Sequence, residues 1–330
     1  MKCRKNVKDL NQDEMDRFIN AVLTLNGQDS VLHPGAQSRY DDFVETHLLA
    51  MHDMDTNMMR PESWGHSGSV FLPWHRELLF QFEQLLQAID PEVTIPYWDW
   101  TRAQATGDDG YPFTHNFLGI DGTDANQDRV QREAGAPSPY PYAFDPETWS
   151  ATINVIDPGD PLNFFQRAFG EWADAPGLPE NDVVVTGTTT TYRNAIGSAT
   201  YLQLRARSED LHNLVHRYVV GNMLRMTSPN DPIFFLHHAA IDRMWSIWQK
   251  KVAAGTSFYV QSSATLGHKL NDAMLYHEPG DPAPFTVGAT PANMINGHTM
   301  HGIGVWYDTD IPEIDAPLPS LDFAGIPVGL

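Results

Sequence analysis

One cysteine, Cys3, stands in a chain of 330 residues, so no disulfide can form within it and no thiolate cluster can bind a metal. Positive charge is scarce as well, with 21 Lys and Arg against 42 Asp and Glu and a formal net charge of −21. Such a chain repels phosphate backbones and anionic lipid, which argues against nucleic acid or a membrane surface as partner. No run approaches 18 apolar residues, so no membrane span is expected. Met1-Lys2-Cys3-Arg4-Lys5 carries the charge of an export leader. Asn11-Gln12-Asp13-Glu14-Met15-Asp16 stands where its apolar core would be, so a cytoplasmic location is expected, with export on a partner protein left open. Repeats and low-complexity tracts are absent too. What is abundant is apolar and aromatic residues, 42% and 11%, enough for a sizeable core, together with 14 histidines.

The apolar residues repeat at helical spacing in several stretches. Leu10, Met15, Phe18, Ile19, Val22, Leu23 and Leu25 predict an amphipathic helix over Asp9 to Leu25, stopped by Asn26-Gly27. Tyr40 to Met51 places Tyr40, Phe43, Val44, His47, Leu48 and Met51 on one stripe, from which His52 falls away. Positions 75, 78, 79, 82, 85, 86 and 89 predict a helix started by Pro73 and stopped at Asp90-Pro91. His66 precedes His75 by nine residues, too far for one helical face, and is expected to reach in from a loop. The aromatic segment 96–102 is expected to pack beneath the site. Residues 103–162 and the polar β-branched run within 181–200 read as long surface loops with a short hairpin among them, inserted into a helical core, and Ile303 to Asp308 as a short strand.

The segment 208–250 organises the rest. His212 and His216 are four residues apart and leave one face of a helix about a turn apart, as a bidentate metal clip does. Asp231-Pro232 reads as an N-cap followed by proline at the first helical position, opening a helix that carries His237 and His238. Adjacent helical residues point about 100° apart, so only one of that pair can join His212 and His216. Three imidazoles without carboxylate or thiolate suit mainly copper or catalytic zinc. His47, His66 and His75 form a second set, which points to two like metals sharing a site.

These motifs resemble those of the tyrosinase family, the type 3 copper proteins that include catechol oxidases and haemocyanins. Tyr40-Asp41-Asp42-Phe43-Val44-Glu45-Thr46-His47 and His66 to His75, with Phe71-Leu72-Pro73-Trp74 before the last histidine, are similar to the first copper motif. Leu211-His212-Asn213-Leu214-Val215-His216 and Asn230 to His238, followed by Asp242-Arg243 and Trp245, are similar to the second. The resemblance covers about residues 4 to 308, with Arg4 and Trp306-Tyr307 similar to the boundary signals of a small bacterial catalytic domain.

It implies a mainly α fold: a central four-helix bundle holding a dinuclear copper site, with long loops and minor β. It further implies a catalytic domain over 1–310 and a proline-rich tail over 311–330. Two copper ions are implied, copper A on His47, His66 and His75 and copper B on His212, His216 and His238, with His237 a non-ligand neighbour. The implied substrates are small phenols and O2, monophenols being hydroxylated and catechols oxidised to o-quinones. Arg217 and Met226 resemble residues lining the substrate entrance.

Two departures qualify the resemblance. In the family a glutamate in a Leu-Glu pair, eight or nine residues before the first copper B histidine, works with the asparagine after that histidine to hold a water that deprotonates monophenols. Here the matching pair is Leu202-Gln203 and the asparagine is Asn213, and an amide can orient a water but cannot take its proton. Catechol oxidation is therefore implied more firmly than hydroxylation, and Glu209 is the nearest carboxylate. The cysteine that links to a copper A histidine in some relatives is also missing. A copper-loading helper protein and a homodimer are left open. A di-iron carboxylate protein would need two Glu-x-x-His elements, and only Glu209 to His212 offers one. An oxygen carrier would use the same six histidines, but carriers in this family are usually much larger assemblies.

Overall fold

The computed structural model describes residues 2–53, 58–59, 63–100, 112–114, 117–118, 149, 154–155, 167, 191–260, 267–278, 280–285, 288–295 and 305–308. Most of the expected loop over 103–162, the first half of 181–200, and the tail over 311–330 lie outside the described residues.

Helix α1, Gln12–Asn26, starts where Asn11 accepts the Glu14 N–H while the Glu14 carboxylate accepts that of Asn11, a reciprocal box that satisfies two orphan donors. Gly27 closes it, and Met15, Phe18, Ile19, Val22 and Leu25 make its buried face. Helix α2, Asp41–Met51, is buried along nearly all its length. Its Asp42 accepts the N–H groups of Val31 and Leu32 at 2.9 and 3.1 Å and pairs with Arg39, which makes a buried carboxylate affordable. Helix α3, Phe71–Ile89, holds Pro73 in its first turn, where the missing N–H has no partner to lose.

Residues 191–200 depart from the expected hairpin. Thr191 and Asn194 form a capping box that starts helix α4, Tyr192–Ile196, so a threonine-rich run that reads as strand ends in a helix N-cap. Helix α5, Tyr201–Val219, is capped by the Thr200 hydroxyl, and helix α6 is Ile233–Lys251. Pro232 is the N-cap of α6 rather than its first helical residue, and the Asp231 carboxylate accepts the Ile233 N–H at 3.0 Å, so the start signal acts one position later than expected. A short helix α7, Pro291–Ile295, also falls in a stretch that reads as loop.

Strand is sparse. Lys2–Arg4, β1, pairs in parallel with Val305–Tyr307, β4, while His52–Asp53 and Met58–Met59, β2 and β3, form a two-residue antiparallel pair. Helices α2, α3, α5 and α6 surround the centre of the molecule, as expected of a bundle. Between them the Phe82 and Phe235 rings stack at 3.6 Å, and Phe43 meets both edge-on. Each such pair contributes about 0.5–1.5 kcal/mol beyond the area it buries. No described helix is long and apolar enough to cross a membrane.

Behind α3 and α6 lies a charged network with almost no exposure. Arg4 pairs with both carboxylate oxygens of Glu83 at 3.0 Å and reaches Asp242 at 3.4 Å and the Tyr307 hydroxyl at 2.9 Å. Asp242 also accepts from Arg76 and from Tyr307. Arg76 lies over the Trp245 ring at 3.7 Å. Every member has several partners, the condition on which a buried ionic group is tolerable.

Candidate metal centre

The four bundle helices each deliver histidine to one place. His47 comes from α2, His75 from α3, His212 and His216 from α5, and His237 and His238 from α6, while His66 comes from the loop before α3. The ligand atoms of His47, His66 and His75 lie within 4.8 Å of one another, and so do those of His212, His216, His237 and His238. The two groups face each other: the rings of His75 and His238 stack at 4.2 Å with 9° between planes, and His66 approaches His212 at 6.2 Å. His52, one residue past α2, is buried but belongs to neither group.

The hydrogen bonds of these rings have one sense. The Nδ1 of His47 bonds to the Met226 carbonyl at 2.6 Å, that of His75 to Phe71 at 2.9 Å, and that of His216 to Met223 at 2.5 Å. A carbonyl can only accept, so each Nδ1 carries the proton and each Nε2 is a bare lone pair. Those three Nε2 atoms are buried without a hydrogen-bond partner. The Nε2 atoms of His212 and His238 stand 3.1 Å apart. Unpaired buried acceptors that converge on one space cost free energy unless a cation takes their lone pairs. The residues therefore fit two metal ions.

Burial also keeps the rings neutral. Loss of solvent lowers the His47 pKa to about 3 and that of His216 to about 4, against the backbone hydrogen bonds that would raise them. His66, His75, His212, His237 and His238 are lowered well below the usual range, first by burial and then by the neighbouring histidines. Neutral imidazole is the ligating form.

Two of these acceptor carbonyls come from one loop. Val220 ends α5 at φ 56° and ψ −151°, a region that a β-branched residue rarely enters, and Gly221 follows at φ 51°. The reversed backbone doubles the chain under α5, so that Met223 meets His216 of one group and Met226 meets His47 of the other. Periodicity carries no sign of this brace, since any residue has a carbonyl. A steric outlier at Val220 is visible only in the backbone.

The remaining expected residues fall in two places. Asn213 is exposed beside the centre, its Oδ1 accepting the His212 Nδ1–H at 3.0 Å. Arg217 is exposed and Met226 half-buried, next to His216, the one histidine of the second group that is not fully buried. Gln203 is elsewhere: exposed in the first turn of α5, with its amide oxygen accepting the Ala199 N–H at 3.1 Å. It lies nine residues before His212, about 13 Å along the helix axis. Glu209 is committed too, accepting the Ser67 N–H at 2.7 Å and pairing with Arg205 at 2.7 Å. Trp100 lies 6.2 Å from His237, and the Trp98 N–H bonds to the Leu236 carbonyl at 3.1 Å, so the aromatic segment does pack beneath α6.

A helical bundle with two facing groups of neutral histidines and, among the described residues, no acidic or sulfur ligand in either group defines a binuclear histidine metalloprotein. The chain belongs to the tyrosinase family, since residues 37–251 match the common central domain of tyrosinase. It is 35% identical over 257 residues to a tyrosinase of Streptomyces antibioticus, an overlap covering 76% of this chain and 84% of that one. A tyrosinase of Streptomyces glaucescens is 33% identical over 316 residues, covering 94% and 100%. A polyphenol oxidase from Thermothelomyces thermophila shares the fold at a TM-score of 0.60 and 19% identity, covering 93% of this chain and 88% of that one. The protein is thus a tyrosinase-type oxidoreductase whose cofactors are two copper ions, one at each histidine group.

Proposed function

We propose that the protein oxidises small o-diphenols to o-quinones with O2, and that it hydroxylates monophenols more slowly. Copper A would be held by His47, His66 and His75 and copper B by His212, His216 and His238, with His237 as neighbour. The observation that carries this reading is the stack of His75 on His238 at 4.2 Å, which joins the two groups into one centre. Two coppers bound there supply one electron each to a single O2.

The rest is done by the chain. Three carbonyls fix the proton on Nδ1 and aim Nε2 inward. His238 is favoured as ligand over His237 because it touches both groups, whereas His237 lies between His212 and Trp100. Among the described residues the open side is at His216, Asn213, Arg217 and Met226. A phenol would enter there over copper B, its ring beside the Met226 side chain and any carboxylate toward Arg217. Asn213 spends its oxygen on His212 and so presents its amide nitrogen outward, a group that can orient a water but cannot take a proton. Gln203 lies on the surface and both Glu209 oxygens are bonded, so neither offers a free carboxylate oxygen there, which favours catechols over monophenols.

The test is oxygen uptake by copper-loaded protein with a monophenol and its matching catechol in parallel. The expected result is two coppers per chain, a fast reaction with catechol and a slow one with monophenol. Uptake with neither, or one copper per active chain, would overturn the proposal.

A further inference from the structure

Five of the six proposed ligands ride on helices, and the sixth, His66, rides on a loop. A loop holds a ligand to a fraction of an ångström only if its backbone is tied down. This one is tied at several points. The Ser63 carbonyl accepts from His268 at 3.0 Å, the Ser69 carbonyl accepts the Tyr201 hydroxyl, and between them the Ser67 N–H donates to Glu209 at 2.7 Å. Ser67, directly after His66, is in the left-handed region at φ 57°, the turn that delivers its N–H to that carboxylate. Tyr201 and Glu209 both belong to α5, the helix of His212 and His216, and Glu209 is one turn before His212.

We infer that Glu209 is a positioning residue that registers the copper A loop against the copper B helix, and so sets the separation of the two metals. Its arrangement suits that task and not proton transfer. One oxygen holds the peptide next to His66 and the other is held by Arg205 of the same helix at 2.7 Å, so the carboxylate is clamped between the two sites. The hydrogen bond is charge-assisted, stronger than a neutral one in the same surroundings. The chain has no cysteine near His66 that could fix that ring covalently. The Glu209 clamp, one residue from His66, joins its loop to the helix of the opposite group together with the Tyr201 hydroxyl farther along the loop.

The inference rests on the dicopper reading, and its test is built to separate the two. Wild type, Glu209→Gln and Glu209→Met are loaded with Cu(II) and compared for copper content, the rate of copper loss to a chelator, and electron paramagnetic resonance. A close Cu(II) pair is silent by spin coupling, whereas separated ions give a signal. Glutamine keeps an oxygen for the Ser67 N–H, so Glu209→Gln is expected to stay silent and retain both rates with phenols. Methionine keeps the stem without an acceptor. Glu209→Met is expected to show a copper signal and to lose one copper about 10- to 100-fold faster, the usual effect of removing a partner that orients a ligand. Glu209→Asp, which withdraws the oxygen by one methylene, carries the same expectation if the methionine variant does not fold.

Two results would overturn the inference: a silent, chelator-resistant pair in Glu209→Met or Glu209→Asp, or a Glu209→Gln protein that keeps the pair and loses only monophenol oxidation, which would make Glu209 a proton acceptor. A wild type with fewer than two coppers would speak against the dicopper reading instead.

Discussion

A histidine that is buried and neutral is a liability in acid until a metal occupies it. In the unfolded chain the imidazoles take protons below about 6.5, while in the fold burial lowers His216 to about 4 and His47 to about 3. Between those limits the unfolded state binds more protons, so stability falls as pH falls, by about 1.4 kcal/mol per pH unit for each such residue. Thermal melts of the copper-free protein should therefore drop steeply from pH 6.5 toward about 4, and bound copper, by holding the lone pairs that would take those protons, should move the drop to lower pH. A flat profile would mean the rings are solvated. Gln203 makes a second case at this scale. Its oxygen caps the Ala199 N–H in the first turn of α5, and a carboxylate there keeps the bond and favours the helix dipole by about 0.3–1 kcal/mol. Gln203→Glu should thus raise the melting temperature slightly and leave the ratio of monophenol to catechol rates unchanged. A rise in the monophenol rate would place this side chain at the substrate after all.

Among the elements, the loop after α5 holds a β-branched residue in a strained conformation. Val220 at φ 56° sits where only glycine is comfortable, at a cost of about 1–3 kcal/mol, against about 0.5–1 kcal/mol of backbone entropy that glycine would add to the unfolded chain. Val220→Gly is expected to be neutral to stabilising by up to about 2 kcal/mol in urea denaturation. Destabilisation would show that Val220 packs more than it strains. The longer helices were legible in the sequence: α1, α2 and α3 through an apolar stripe at helical period, α5 through the four-residue spacing of His212 and His216, and α6 through the Asp231-Pro232 start signal. Of the short strands β4 alone was expected, within Ile303 to Asp308; β1, β2, β3 and the pairings were not, since strands of two or three residues have no period to read. Nor was α4, because threonine serves strands and N-caps alike. The buried charges Arg76, Glu83 and Asp242 read as polar surface on their helices, because burial is conferred by partners far away in the chain. For the same reason Glu209 reads as a solvated helix residue until Ser67 is placed beside it.

At the scale of the whole molecule, the charged network ties both outer strands to two of the helices that carry histidines. Glu83→Gln would leave Arg4 with one full carboxylate partner, Asp242, instead of two. We expect a loss of about 3 kcal/mol, the lower end for breaking a buried ion pair because Asp242 remains. Denaturation should show this in both the copper-free and loaded protein, and a loss only in the loaded form would tie the network to the metal instead. The proposed catalytic unit ends near residue 310, where Tyr307 and Asp308 still bond to Arg4 and Asn6. Deletion of 313–330 should therefore leave a cooperative fold that binds two coppers, and a chain that no longer folds would assign the tail to the core. The bond from Arg4 to Tyr307 spans 303 positions, and this has a consequence in time. As the ribosome releases the chain, Arg4 emerges early, yet neither Asp242 nor Tyr307 exists until most of the polypeptide has been made. Loops that long close slowly. The histidine helices can thus assemble, and meet copper, while the outer strands are still apart, and pairing of β1 with β4 becomes the step that seals the molecule once synthesis has passed residue 307.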